Sequence, residues 1–276
     1  MTSVLSDAPA APGRLERASR ALRGSLFFII WLPYLAIPAA IVQRLLVWPV
    51  LTLTSSPARR AHRYGLWLRL QGHIVVLLAR VTAGVRVSIS GSIPDEPVVA
   101  IMNHQSVLDI PVAITLFGRF SPLFPTRDRY QWRIPFISPT LRMGRFPFIT
   151  QRPEGLQQDL DSLGEAAGRV ARGDNSLLIY AEGHRTHDGQ IGRFMRQGPR
   201  LILTQSKRPV YTIVADGMWG ARTFTDALAA LGNSRIHIVV TGPFEPPTPE
   251  TADAFLDQLR ESMIATLAEM RRSPPA

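Results

Sequence analysis

Val98-Val99-Ala100-Ile101-Met102, followed at once by Asn103-His104-Gln105-Ser106-Val107-Leu108-Asp109, is the stretch that decides the fold. Five apolar residues in a row read as a strand buried on both faces. A polar loop directly after such a strand lies at its carboxyl end, where open α/β sheets build their sites. On an ideal helix, positions five apart are about 140° apart around the axis, so His104 and Asp109 cannot pair from mid-helix. They can meet if His104 sits in the loop and Asp109 on the first helical turn. A carboxylate behind an imidazole keeps one ring nitrogen protonated while the other accepts a proton, and a free imidazole titrates at about 6.5. The competing reading is a histidine capping the helix beside a solvated aspartate.

Outward from this stretch, strands and helices alternate, the mark of an α/β sheet. Val85, Val87 and Ile89 alternate with polar residues in a half-exposed strand ending at Gly91. Further strands are expected at Ser176–Tyr180, Val210–Val214 and Arg235–Thr241. Leu156, Leu160, Leu163, Ala167 and Val170 mark one face of a helix that stops near Gly173. A final helix is expected from Thr248 and Pro249, with Phe255, Leu259, Met263, Leu267 and Met270 on one side. The predicted fold class is α/β, a central mixed sheet flanked by helices, preceded by an N-terminal membrane-associated helical hairpin.

The hairpin rests on residues 24–43, which carry no charge, and on Leu26–Val42, which is almost continuously apolar. Arg14, Arg17, Arg20 and Arg23 precede it, and Arg59, Arg60 and Arg63 follow. Basic flanks on both sides favour both ends facing the cytoplasm, which a hairpin dipping into one leaflet satisfies and a single span does not. Pro33, Pro38 and Pro49 are expected to interrupt its helix. A single transmembrane anchor and a cleaved signal peptide are the alternatives. Tyr64–Ala83 reads as a second helix with Arg69, His73 and Arg80 on one face, suited to lipid headgroups or to plain solvation. The chain therefore divides into a disordered tail over residues 1–20, a membrane-associated helical segment over 21–83 and an α/β domain over 84–276.

The chain has 276 residues and a formal charge of +10, with 31 basic against 21 acidic side chains, so an anionic partner is favoured. Lys207 is its one lysine; nearly all the positive charge is guanidinium, apt for forked contacts with phosphate, though a biased genome produces the same composition. The basic residues are dispersed and carry no recognised nucleic-acid motif, so no nucleic-acid partner is expected. Cysteine is absent, which excludes a thiolate nucleophile or thiolate metal site. His184 and His187, three apart, lack a third ligand at useful spacing, and no metal is expected.

A second polar stretch, Glu182-Gly183-His184-Arg185-Thr186, follows the strand ending near Tyr180. Its glycine permits a tight turn that can aim Arg185 at an anion, although a surface ion pair explains it equally well. Together with Gly144–Arg152 (GRFPFITQR) and Arg208-Pro209-Val210, these stretches occur in the order of the blocks of the glycerolipid acyltransferase family typified by 1-acyl-sn-glycerol-3-phosphate acyltransferase, which the chain resembles over roughly 85–240. Phe194 and Gly198 fit that family's spacing too.

The resemblance implies that His104 is the general base and Asp109 its orienting partner. It implies that Arg152, Glu182, Gly183 and Arg185 shape the pocket and bind the acceptor's phosphate, with Arg127 in place of the family's lysine. It implies a lysophospholipid acceptor, lysophosphatidic acid acylated at its sn-2 hydroxyl to phosphatidic acid. The donor is acyl-CoA or acyl carrier protein, used as co-substrate with no cofactor, at the cytoplasmic face of the inner membrane. Direct attack without an acyl-enzyme suits a chain lacking cysteine and any G-x-S-x-G elbow, and leaves Ser106 structural. His184 stands where the family has threonine and Ala181 where it has proline. Other acceptors, a lyso-ornithine lipid or another lysophospholipid, therefore remain open, as does a non-catalytic membrane binder.

Overall fold

The computed structural model describes residues 13–221 and 223–273. A long helix, α1 (Arg14–Thr54), turns back at Ser55 and Ser56 into α2 (Pro57–Ala83). Gly84 ends α2 in the left-handed conformation, φ 68°, that a residue with a side chain rarely adopts, and the chain enters the sheet. The elements then run β1 (Arg86–Ser90), β2 (Val99–Met102), α3 (Asp109–Leu116), β3 (Pro122–Leu123), β4 (Thr126–Arg127), α4 (Ile137–Met143) and β5 (Phe148–Ile149). They continue α5 (Leu156–Ala171), β6 (Ser176–Ile179), α6 (Gln197–Ser206), β7 (Val210–Asp216), α7 (Phe224–Ala230), β8 (Arg235–Phe244) and α8 (Ala252–Arg272).

Six strands form one sheet in the order β1-β8-β7-β2-β6-β3. β2 pairs in parallel with β6 and with β7, β3 runs parallel to β6, and β8 is antiparallel to β7 but parallel to β1, so the sheet is mixed as expected. Every residue of β2 and of β6 is buried, which is why both read as unbroken apolar runs. The alternation of β8 is that of a strand covered more on one face than on the other. Helices α5 and α6 pack on each other, and α8 packs on β7 and α6 through Leu256, Leu259, Met263, Leu267 and Met270, all buried. A separate small sheet joins β4 to β5.

Three expectations need correction. Residues 14–20, assigned to the tail, are the first turns of α1, steadied by the Arg20–Glu16 pair at 2.6 Å one helical turn apart; residues 1–12 lie outside the described residues. Pro33 and Pro38 do not break α1. The helix widens into π turns at Leu35–Ala39 and Gln43–Val47 and runs on past Pro49 to Thr54, so the apolar stretch expected to form a hairpin is one continuous helix, which turns back only at Ser55 onto α2. The last helix starts at Ala252 because Thr248 and Thr251 bond to each other in a turn that holds Pro249 outside it.

The hairpin is fastened by polar contacts within an apolar interface. Tyr34 donates to Gln71 Oε1 at 2.8 Å. Gln43, fully buried, donates to the Phe136 carbonyl at 3.2 Å and accepts from Trp67 Nε1 at 3.1 Å and Thr140 Oγ1 at 2.9 Å. Gly72 lets α2 approach α3 closely, since a Cβ there would stand 2.9 Å from the Pro111 carbonyl oxygen. Most of the exposed large apolar side chains of the molecule sit on these two helices, among them Ile29, Ile37, Leu45 and Leu53 on α1 and Leu70, Leu77 and Val81 on α2. Both helices are long and apolar enough to cross a membrane.

Candidate active site

β2, β6 and β7 lie side by side and point the same way, so the loops that leave their carboxyl ends converge. The loop after β2 is held to β7 by Asn103, whose side chain donates to the Ala215 carbonyl at 2.9 Å and accepts from the Ala215 amide at 2.8 Å, continuing the ladder one residue beyond the strand. It is held to the loop after β6 by the Thr186 amide, which donates to the His104 carbonyl at 2.7 Å. Ser106 Oγ donates to the Ala221 carbonyl at 2.7 Å and accepts from the Leu108 amide, a structural use of this hydroxyl.

His104 stands in the loop and Asp109 is the first residue of α3, the disposition that their spacing requires. Nδ1 of His104 lies 2.7 Å from Asp109 Oδ2, and the same oxygen accepts from the amides of Gln105 at 2.6 Å and Ser106 at 2.8 Å. These donors and the amino end of α3 compensate a carboxylate whose side chain is 0% exposed. As Asp109 has no donor to offer when ionised, Nδ1 carries the hydrogen and Nε2 is left as an acceptor. The His104 side chain keeps 18% of its surface open, so its outer edge is reachable. Tyr180 stacks against the ring, centroids 4.2 Å apart and planes 26° from parallel, and fixes its tilt. Burial pushes the Tyr180 phenol well up, and the Asp109 charge adds to this, so that group stays neutral.

Glu182 is turned inward, toward the loop that carries His104. It is 2% exposed, and its oxygens accept from the amides of His104 at 3.1 Å and Gly192 at 2.8 Å. Burial raises its carboxyl above the usual range against those bonds. An inward acid already bonded on both oxygens braces the base loop; it has no donor to give a phosphate. Gly183 turns at φ 73°, where a Cβ would also press on Met195, and its carbonyl accepts from Gln151 Nε2 at 3.2 Å. That bond brings the loop after β5, with exposed Arg152, against the loop that carries half-buried Arg185. Arg127 is exposed on β4, in register with Ile149 of β5. His184 and His187 are exposed with rings 5.9 Å apart, and among the described residues no group of three metal-ligating side chains gathers.

A second tier of the site had no signal in the sequence. Gln105, next to His104, donates to Asp216 Oδ1 at 3.1 Å and accepts from the Met218 amide at 3.1 Å. Arg271, on α8, grips Asp216 with Nε and a terminal nitrogen, each at 2.9 Å, and also donates to the Gly189 carbonyl. Burial works to raise the Asp216 carboxyl, but the Arg271 guanidinium and the Gln105 amide outweigh it and hold it below the usual range. The last helix thus reaches the base loop through one carboxylate. Arg208, in the fourth block, instead donates to the carbonyls of Val170 and Ala171 at the end of α5 and sets the start of β7, away from His104.

A histidine–aspartate pair is thus braced at the carboxyl edge of this sheet with basic loops beside it, and residues 84–216 match the family described as Acyltransferase. Residues 84–216 thus form an acyltransferase domain, and the chain is an enzyme of the 1-acylglycerol-3-phosphate O-acyltransferase-like type. It is 29% identical over 237 residues to the 1-acyl-sn-glycerol-3-phosphate acyltransferase of Pseudomonas aeruginosa, covering 81% of this chain and 86% of that one. To the 1-acyl-sn-glycerol-3-phosphate acyltransferase alpha of Homo sapiens it is 24% identical over 201 residues, 71% of this chain and 69% of that one. The crystal structure of the 1-acyl-sn-glycerophosphate (LPA) acyltransferase from Thermotoga maritima shares its fold, with a TM-score of 0.72 at 16% identity over 94% of this chain and 100% of that one.

Proposed function

We propose that the enzyme transfers a fatty acyl group from acyl-CoA or acyl carrier protein to the sn-2 hydroxyl of lysophosphatidic acid, giving phosphatidic acid. The observation that carries this reading is the 2.7 Å contact between His104 Nδ1 and Asp109 Oδ2, on a ring that keeps 18% of its surface open. Nε2 of His104 takes the proton of the acceptor hydroxyl as its oxygen attacks the thioester carbonyl carbon. The carbon–sulfur bond then breaks, and the imidazolium returns its proton to the departing thiolate, so no acyl-enzyme is needed. Asp109 orients the ring and stabilises its transient charge. Arg152 and Arg185, with Arg127 further out, take the acceptor's phosphate in forked contacts. Glu182 and Gly183 serve the same pocket by holding the loops that present His104 and Arg185. No cofactor enters this chemistry.

The exposed apolar helices α1 and α2 support a membrane-bound enzyme, and we read its location as the cytoplasmic face of the inner membrane, with the hairpin in the leaflet that supplies its acceptor. A second acceptor within the same reaction class, a lyso-ornithine lipid or another lysophospholipid, is favoured by His184, whose ring replaces a small hydroxyl side chain beside the phosphate loop. The test is turnover by purified protein with a panel of acceptors and one acyl thioester. Lysophosphatidic acid is expected to exceed lysophosphatidylcholine and monoacylglycerol by at least about tenfold in kcat/KM, the scale of one charge-assisted contact. Equal rates with the phosphate-free acceptor overturn the assignment.

A further inference from the structure

One cavity of the described residues lies away from His104. It measures about 750 Å³ and lies at the opposite edge of the sheet, where β3 and β6 begin: Ser121, Pro122 and Asn175 line it, whereas His104 follows the carboxyl end of β2, parallel to β6. None of the residues of the His104, Arg152 or Glu182–Thr186 loops reaches it. Its charge is one-sided. Arg60, Arg142, Arg145, Arg169 and Arg172 line the cavity against a single carboxylate, Asp174.

Three of these guanidinium groups, those of Arg60, Arg142 and Arg169, form no salt bridge with a carboxylate among the described residues. Arg169, 6% exposed, donates to the carbonyls of Gly144 and Arg145 and to Asn175 Oδ1. Arg60 donates to the carbonyls of Thr52 and Ser55, and Arg142 donates to the Gln131 carbonyl and lies 4.3 Å from the Trp132 ring centre. Neutral oxygens satisfy these donors without cancelling the field. Burial, and after it the neighbouring Arg145, push the Arg169 guanidinium downward, while Asp174 and Glu165 act the other way. Arg172 meets Asp174 at 3.4 Å and Arg145 pairs with Glu165, both at the rim.

Two further observations point to a ligand. Ser121, 4% exposed, contributes to the wall a hydroxyl oxygen with no hydrogen-bond partner among the described residues, and the buried Nε of Arg60 has none either. The rest of the wall is apolar, with Tyr64, Leu68, Leu123 and Phe146. Trp48 lines the cavity from α1, about two turns before the bend of the hairpin, where Leu45, Leu46 and Leu53 are exposed. An anion with an apolar continuation fits such a site, and its apolar part would lie along those leucines.

We propose that this cavity binds the phosphate of an anionic membrane phospholipid, a non-substrate lipid that clamps α2 to the α/β domain at the leaflet surface. The site is distinct from the acyl-transfer centre and does not depend on what that centre acylates. Full-length protein in detergent, titrated with phosphatidylglycerol, phosphatidylcholine or inorganic phosphate and read by native mass spectrometry, tests it. One phosphatidylglycerol per chain is expected, held at least about tenfold more tightly than phosphatidylcholine. Arg60→Gln with Arg172→Gln should weaken it by about twentyfold, since each arginine near a lipid surface is worth roughly fivefold. Arg145→Gln with Arg172→Gln, whose side chains hold no backbone carbonyl, guards against a folding defect and should weaken it similarly. Arg86→Gln with Arg235→Gln, exposed and outside the cavity, should change it less than about twofold. Equal binding of the two lipids, equal loss in the Arg86 and Arg235 control, retention in both cavity variants, or displacement by inorganic phosphate at equal concentration overturns the proposal.

Discussion

Asp109, wholly buried at the head of α3, holds Nδ1 of His104 at 2.7 Å with the same oxygen that gathers the amides of Gln105 and Ser106. One carboxylate oxygen therefore sets both the shape of the loop and the tautomer of the ring. The proposed mechanism depends on that double use, because an imidazole free to rotate would spend much of its time with the wrong nitrogen outward.

Glu182 supports the same loop from behind. Replacing it by Ala orphans the buried amides of His104 and Gly192, and unfolding free energy should fall by about 1–3 kcal/mol for each. Burial raises its carboxyl in the folded protein above the ordinary 4.5, so the folded state binds the extra proton first. Its contribution is thus greatest below 4.5 and declines as pH rises through the folded value. Denaturant titrations of the wild type and of Glu182→Gln across this window should show the wild type gaining on the variant as pH falls. A constant difference contradicts the buried setting.

Arg271 is expected to matter although it is far from His104 in sequence. Its pair with Asp216 is half-buried, and Arg271→Ala should cost about 1–2 kcal/mol at neutral pH. Since Asp216 is held below its usual range, the wild-type advantage is full above 3.8 and disappears as pH falls through the depressed folded value. Thermal unfolding at neutral and acid pH reads both, and the same variant should lose turnover severalfold through Gln105.

Arg152 and Arg185 should act on the acceptor and not on the donor. Each Ala variant is expected to raise KM for lysophosphatidic acid by about tenfold or more, the value of a charge-assisted contact, while KM for the thioester stays within about twofold. Steady-state kinetics with each substrate varied in turn separates the two.

Much of this was legible in the chain because it is local. The strand before Asn103 is apolar on both faces, and the spacing from His104 to Asp109 admits a contact only at a strand-to-helix turn, which is where it occurs. The apolar length of α1 was legible, yet its prolines were expected to interrupt it, since a π turn lets the helix pass Pro38 and no sequence pattern announces that. The inward orientation of Glu182 and the Gln105–Asp216–Arg271 chain were hidden for another reason: their partners are brought together by strand order, across 55 residues in the case of Asp216 and Arg271. β3 escaped because two paired residues starting at a proline carry no period. Tyr180, at the end of a predicted strand just before Glu182, was in plain sight but was read only as the close of that strand.

The most direct test is turnover of His104→Ala with lysophosphatidic acid and an acyl thioester, alongside its thermal unfolding. The account predicts a loss of about a hundredfold or more with an unfolding transition close to that of the wild type, because the ring is partly open and carries no other element of the fold. Wild-type turnover in that folded variant would contradict it.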